Sequence, residues 1–367
     1  MLWVKCYMFW TNFMAATMKE KNIQRRNLQI SGGATYVISL PKKWIEKLNL
    51  KNGDSMQIVN NSNNSITLLP DSQEEKQSSH SIIKIKKTDS LESIKRKIIS
   101  LYISGYNYIV VKSPRTKIDT EVRAMIIKLV RTKFMGTEII ESDSESIKIK
   151  VLSSTPEIKL ELAFNRMCKS TSNVLFEIVH AIEKNDSEYA QEIITMDDEI
   201  DCFSHYLTRN LTMSLDDSNI LSALGLEHTS QVISYKRIIT CIERVADHVS
   251  IIARNIISMN EKNITKTPKN ILSAYEKTIK LFEEVMNFGS NKKYSEAETL
   301  AQNTEKLIDE TNKLINSLNR NSDLVFYQNL LNENRRILDY TLDICEAIMN
   351  DTVKSVVSLE SVEIAES

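Results

Sequence analysis

Glycine and proline are scarce, seven and five in 367 residues. Long turn-rich sheets need both, so helices should dominate. Histidine is equally sparse: His80, His180, His205, His228 and His248 are scattered, and no nucleophile sits beside a base, which argues against an enzyme. Five cysteines, at 6, 168, 202, 241 and 345, form no C-x-x-C pair, and four fall within apolar helical patterns. They read as reduced core filler in a cytoplasmic protein. The formal charge of −1 hides any local bias, and 42% hydrophobic residues are enough to build cores in two or three domains.

A long apolar run is also missing. The opening MLWVKCYMFWTNFMAAT is broken by Lys5, Thr11, Asn12 and Thr17, short of the roughly 18–20 residues that a membrane span needs. A signal-like apolar segment or an interfacial anchor is one reading. The other, which we take as the expectation, is that Met18 is the working start and residues 1–17 are a non-native or disordered extension. No stable membrane insertion is expected.

Residues 18–70 read as a short β-rich unit. A strand ends at Gly32-Gly33, YVISL follows, Pro41 opens a short helix PKKWIEKLNL, and Asn52-Gly53-Asp54 is a turn before the strands SMQIV and SITLL, which flank the polar Asn61–Asn64 turn. So few large apolar groups hardly make an independent core, so the module should need a second copy. It carries eight Lys or Arg against three acids. GGATYVISLPKKWIEKLNLKNGD resembles the SpoVT/AbrB family, in which two chains interleave hairpins into one small barrel that sets basic side chains against DNA. The resemblance implies a homodimer on double-stranded DNA, with Arg25, Arg26, Lys42 and Lys43 as candidates for phosphate or base contacts. The blander alternatives are a dimerisation module with solvated charges and a toxin–antitoxin role, the latter disfavoured by the long remaining chain.

Residues 71–80, DSQEEKQSSH, read as a linker. From 81 to 155 the pattern is β-α-β-α-β-β, a small α/β domain, with Asp89 and Glu92 resembling a capping box for its first helix. With no Gly-rich phosphate loop or nucleophile elbow, it reads as a spacer or dimer-stabilising domain.

After Pro156 six amphipathic helices can be drawn, over about 156–183, 187–212, 222–259, 266–287, 293–319 and 324–350. Thr155 and Pro156 supply a cap and first residue, and residues 352–367 form a flexible tail. Three short-looped helices followed by three more predict a repeat and two three-helix bundles. Acids four apart recur at equivalent helices: Asp197 with Asp201, Glu243 with Asp247, Glu305 with Asp309. The fourth copy fails, with Arg335 standing before Asp339. Such pairs also arise by chance among 48 acids. Helical projection turns Glu243 and Asp247 about 150° from their helix's apolar stripe, so they should face outward.

IERVADHVSIIARNI resembles the signature of PhoU proteins, DDEID its partner segment, and RRILDYTLDICEAI the second copy. The resemblance covers about 195 residues. It implies paired bundles holding metal on the surface, with Asp197, Asp201, Glu243 and Asp247 at one site and Glu305, Asp309 and Asp339 at the other, where Asp343 replaces an oxygen that Arg335 cannot give. Fe, Zn, Mn and Mg all suit carboxylates. The expected fold is therefore multidomain α+β: a swapped-hairpin barrel, a small α/β domain and a helical pair of bundles. The whole resembles the PhoU-type phosphate uptake regulators of archaea, implying a cytoplasmic, DNA-binding regulator that senses metal, phosphate or a phosphate transporter complex. The rival is an adaptor that restrains the transporter without DNA.

Overall fold

The structure is a computed structural model. It describes residues 24–357 apart from 34, 61–64, 72–79, 87, 114–116, 154–155, 157, 263, 265–266, 288–292 and 319–323. The expected extension over 1–17, the Asn61–Asn64 turn, nearly all of the linker, the Thr155 cap and most of the tail lie outside the described residues. The chain divides into two compact units, 1–74 and 75–367.

In the first unit, β1 (Gln29–Ser31) and β2 (Thr35–Val37) form an antiparallel hairpin. The tight connection requires left-handed backbone at Gly32 and Gly33, which glycine adopts without penalty. Helix α1 (Lys42–Lys47) follows, with Pro41 at its N-cap. The Asn52-Gly53-Asp54 turn is closed by the Lys51 amide donating to Asp54 Oδ2 at 2.6 Å. A second antiparallel hairpin, β3 (Met56–Asn60) and β4 (Ile66–Pro70), completes the unit. Among the described residues the two hairpins belong to separate two-stranded sheets and do not close a barrel. Among the described residues of this unit only Pro41 is buried, while Ile58 and Ile66 are about 70% exposed and Leu28, Ile30 and Tyr36 nearly so. Strand residues with this much uncovered apolar surface lack the layer that a sheet needs.

The second unit opens with β5 (His80–Lys84), α2 (Leu91–Ile103), β6 (Tyr108–Lys112), α3 (Thr120–Lys133), β7 (Thr137–Ser142) and β8 (Ser146–Val151). The sheet order is β5-β6-β8-β7, with β5 and β6 parallel across the α2 crossover and the other pairs antiparallel. Ile94, Ile98, Tyr102 and Ile126 of the helices fill one face against Ile109, Val111, Ile147 and Ile149. The cap of α2 is a correction to the expectation: Ser90 Oγ, not Asp89, accepts the Ser93 amide. Asp89 is instead held by Lys97 at 2.8 Å and by the Lys86 amide.

Helices α4 (Leu160–Lys184), α5 (Ser187–Ser214) and α7 (Thr229–Glu261) form one bundle; α8 (Lys269–Asn287), α9 (Tyr294–Ser317) and α10 (Leu324–Thr352) form the other. Helix α4 begins four residues later than expected, with Lys159 as its N-cap. The helix drawn from 222 is broken in two. A short α6 (Ser218–Ala223) ends at Gly225, whose φ is +75°, and α7 restarts where Gln231 Oε1 accepts the Glu227 and His228 amides. Helix α7 packs on α10 and α4 on α8, so both bundles share one apolar core. Among the described residues no helix is long and apolar enough to cross a membrane, and Cys168, Cys202, Cys241 and Cys345 are free.

Helix α5 also carries α2 and α3 on its other flank. Arg209 fixes that junction. Its buried guanidinium donates to the carbonyls of Tyr102 (2.5 Å), Tyr106 (3.0 Å) and Gly105 (3.2 Å) and to Asn107 Oδ1 (2.5 Å), and lies over the Tyr102 ring. The Tyr102 carbonyl, in the last turn of α2, also accepts the Gly105 amide at 3.1 Å, while Gly105, Tyr106 and Asn107 lie just past the end of the helix. Gly105 makes the approach possible, since a Cβ there would stand 2.9 Å from Met213 Cγ. Replacing Arg209 by Met is expected to cost about 2–4 kcal/mol in urea unfolding, because it removes four hydrogen bonds from a charged donor to the α/β domain at once. A loss under about 0.5 kcal/mol would show the junction to be held by apolar contact alone.

Candidate cation-binding corner

Helices α5 and α7 run side by side, and the 3.6-residue period puts Asp197 and Asp201 of one against Glu243 and Asp247 of the other. The acids are close enough that the charges of their neighbours raise Asp197, Glu243 and Asp247. Burial, then the charge of Asp201, pushes Asp197 up to about 6. Burial, then Asp247, pushes Glu243 up to about 7. Asp247 is raised by burial and by Asp201. Asp197 Oδ1 is sealed from solvent and accepts no hydrogen bond. A carboxylate oxygen so placed has no donor of its own, although the nearby Lys133 charge offsets part of its burial.

The outward projection of Glu243 and Asp247 holds only in part. Their side chains are 26% and 37% exposed, because α5 covers the flank that a lone helix would show to water. The cations facing the corner are Lys133, Arg244 and Lys236. Arg244, half exposed on α7, reaches Glu243 at 3.7 Å and Asp247 at 3.4 Å. Lys236 donates to Thr208 Oγ1 at 3.2 Å, and burial lowers its pKa although Glu243 opposes this.

Lys133, the last residue of α3, makes the strongest contact. Its Nζ lies 2.5 Å from Asp198 Oδ1 and 2.6 Å from Asp201 Oδ2, with the side chain only 12% exposed. Burial works against the ammonium, but Asp201 and Asp198 outweigh it, and the net shift is upward. The Lys133 carbonyl meets His205 Nδ1 at 3.2 Å, and Phe134 packs edge-on against the His205 ring. Burial lowers His205, which favours the neutral ring. Nothing local in the sequence marks Lys133, since a lysine ending a helix ordinarily answers the helix dipole.

A donor set of four carboxylates with one orphaned oxygen fits a hard or borderline cation. It is not assembled as it stands: among the described residues no three His, Cys, Asp or Glu side chains are grouped closely enough to hold a metal ion. Asp201 is already engaged by Lys133. The chemistry therefore fits while one expected ligand is committed to an internal ammonium.

The second set is not brought together. Glu305 and Asp309 are exposed on α9. Asp339 is taken by Arg335 at 3.5 Å and Arg336 at 3.4 Å. Asp343, expected to supply a missing oxygen, faces α7 instead and pairs at 3.0 Å with Arg237, which also holds Glu346 at 2.9 Å. Three guanidinium groups already neutralise Asp339 and Asp343, so a cation has little to gain there. His248, adjacent to Asp247 and close enough for its charge to act on that carboxylate, pairs with Glu333 of α10 beneath Tyr340.

In the first unit all four basic candidates are exposed. Arg26 bonds Gln24 Oε1 at 3.0 Å and Lys42 leans toward Glu46 at 3.7 Å, while Lys43 stands beside Lys42 on the first turn of α1. Contacts as weak as these leave the charges available to an anionic partner.

Two separate modules are thus defined, a basic pair of hairpins and a paired helical bundle with an acid corner. The family model for the PhoU domain matches residues 164–256, which contain that corner. The model described as antidote-toxin recognition MazE, bacterial antitoxin, matches residues 29–76. Solved structures similar to the chain include the phosphate transport system regulatory protein PhoU from Streptococcus pneumoniae (20% identity, TM-score 0.44, covering 55% of this chain and 96% of that one) and PhoU from Pseudomonas aeruginosa (18%, 0.44, 54% and 96%). No curated protein matches the chain.

The raised carboxyl groups fix a pH dependence. An acid whose pKa rises on folding holds its proton more tightly in the native state, so native stability falls as pH climbs from the unfolded value through the folded one. For Glu243 and Asp197 that window runs from about 4 to about 7. The cation-free protein should lose stability across it, and Glu243→Gln should remove about 1–2 kcal/mol of that loss after solvent screening. Urea unfolding at pH 5 and 7.5 checks this, and identical slopes for both proteins would contradict it.

Proposed function

We propose that this chain is a PhoU-like regulator of phosphate uptake that acts on transcription: a cytoplasmic homodimer that binds double-stranded DNA through its first unit and senses phosphate status through its helical bundles. The observation that carries the reading is the pairing in one chain of a PhoU-domain match centred on a cation-poor acid corner with a basic hairpin unit that buries almost none of its own apolar residues. The bundles are the sensor, through a bound cation, phosphate or contact with a phosphate transporter complex. No step of catalysis is assigned.

Dimerisation follows from the exposed strand residues of the first unit. A second copy supplies the missing layer, interleaving its hairpins with these, and only the dimer then places two sets of Arg25, Arg26, Lys42 and Lys43 on one face. Phosphate contacts made by such groups weaken steeply with salt. Sedimentation should give a dimer, and Ile58→Lys with Ile66→Lys should shift it to monomer.

Asp197, Asp201, Glu243 and Asp247 would hold the cation, an Fe, Zn, Mn or Mg ion that supplies positive charge to carboxylates lacking it. Asp197 offers its unpartnered oxygen, and Glu243 and Asp247 offer carboxylates that burial and mutual repulsion make costly to keep charged without a cation. Glu305, Asp309, Asp339 and Asp343 are not proposed as a second site.

A mobility-shift assay of the full chain on genomic fragments, at low and moderate salt, tests the central part. Retention of specific fragments is expected, lost on charge reversal of Arg25, Arg26, Lys42 and Lys43 without loss of the dimer. Failure to retain any fragment as the wild-type dimer would leave an adaptor that restrains a transporter without DNA. Metal analysis of protein purified without chelator should show less bound metal in Glu243→Gln, Asp247→Asn than in wild type, and equal contents would remove the cation from the account.

A further inference from the structure

The α/β domain is fastened to α5 at two places of different chemistry. One is Arg209, whose guanidinium is spent on main-chain carbonyls at the end of α2 and on Asn107. Those acceptors carry no net charge, so the attachment does not depend on what the acid corner binds. The other is Lys133, whose ammonium is held by Asp198 and Asp201. Asp201 belongs to the acid corner itself. The ammonium is, in effect, a cation already bound at the corner's edge, delivered by a helix from outside the bundle.

A single charge does not serve the whole cluster. Asp197, Asp198, Asp201, Glu243 and Asp247 face Lys133, half-exposed Arg244 and Lys236, and Asp197 Oδ1 still finds no partner. A doubly charged ion drawing on Asp197, Glu243 and Asp247 would also draw on Asp201, and there it meets the ammonium. Two cations cannot share that carboxylate closely: like charges a few ångströms apart in a half-buried site repel strongly.

We propose that Lys133 is a latch that competes with a divalent cation for Asp201, so that loading of the α5–α7 corner releases the C-terminal end of α3 while Arg209 holds the end of α2 as a fixed point. The proposal rests on the reading of the corner as a cation site and adds how its occupancy is passed on. Release of Lys133 also frees the contacts that follow it in the chain, the Lys133 carbonyl on His205 and the Phe134 ring against the same imidazole. The segment from α3 to β7 is then the part of the α/β domain that responds. Coupling is reciprocal: whatever keeps Lys133 docked weakens cation binding by the same factor.

The test uses the full chain with Mn2+ as the probe and two readouts. Calorimetric titration of wild type and Lys133→Met is expected to show tighter Mn2+ binding in the variant, by roughly 5- to 150-fold, the usual range for coupled sites. Hydrogen exchange of the unsubstituted protein is expected to speed up at residues 130–137 on saturation with Mn2+, with the Arg209-held residues 102–107 unchanged. The second readout stands even if the substitution harms folding. Equal affinities together with unchanged exchange at 130–137 overturn the latch while leaving the cation site intact. Absence of Mn2+ binding in both proteins overturns the cation site and the latch with it.

Discussion

The ion pair between Lys133 and the Asp198/Asp201 pair ties together parts of the molecule that differ in every other respect. It joins the end of a helix in a small α/β domain to the middle of a long bundle helix, 65 to 68 positions later in the chain. A half-buried ammonium between two carboxylates is a costly arrangement to desolvate, and geometry decides whether it stabilises. Here the contacts of 2.5 and 2.6 Å are short, and the side chain is largely shielded. Its second consequence is chemical, because it occupies one of the four carboxylates that the helix pairing brings together and leaves the other three short of positive charge.

Helix α5 is the common element in this arrangement. One flank packs on α4 and α7 and contributes to the shared apolar core; the other receives α2 and α3. The acid corner sits where those flanks meet, so any change there is felt on both sides. The equivalent acids of the second bundle have no such neighbour. Asp339 is answered within α10 by Arg335 and Arg336, and Arg237 of α7 reaches Asp343 and Glu346 and fastens α10 to α7. The two three-helix bundles thus carry charged faces that are paired in different ways.

Much of this was legible in the sequence. The bundle helices follow from apolar periodicity, whereas spacing alone left the acids as solvated faces and only the resemblance to PhoU proteins grouped Glu243 and Asp247 with Asp197 and Asp201. The β-α-β-α-β-β order of residues 81–155 was readable in the same way, from alternation and run length. Local punctuation was less secure: Ser90 and Asp89 are both good caps, and only tertiary contact with Lys97 decides between them. The break at Gly225 fell inside a run whose polar and apolar residues still suited a helix. Lys133 and Arg209 were out of reach, since a helix-ending lysine and a mid-helix arginine have ordinary local explanations, and their partners lie 65 or more positions away. The same distance explains why the acids of α7 projected outward on their own helix yet are covered in the fold.

If Lys133 holds the corner only while no divalent cation does, a double-mutant cycle between Lys133→Met and Asp198→Asn, measured by urea unfolding with and without saturating Mn2+, reads it out. Asp198 is bonded to Lys133 but lies outside the four acids assigned to the cation. The account expects a coupling of about 1–3 kcal/mol without Mn2+ that falls to near zero with it. A coupling that stays the same when Mn2+ is bound would contradict it.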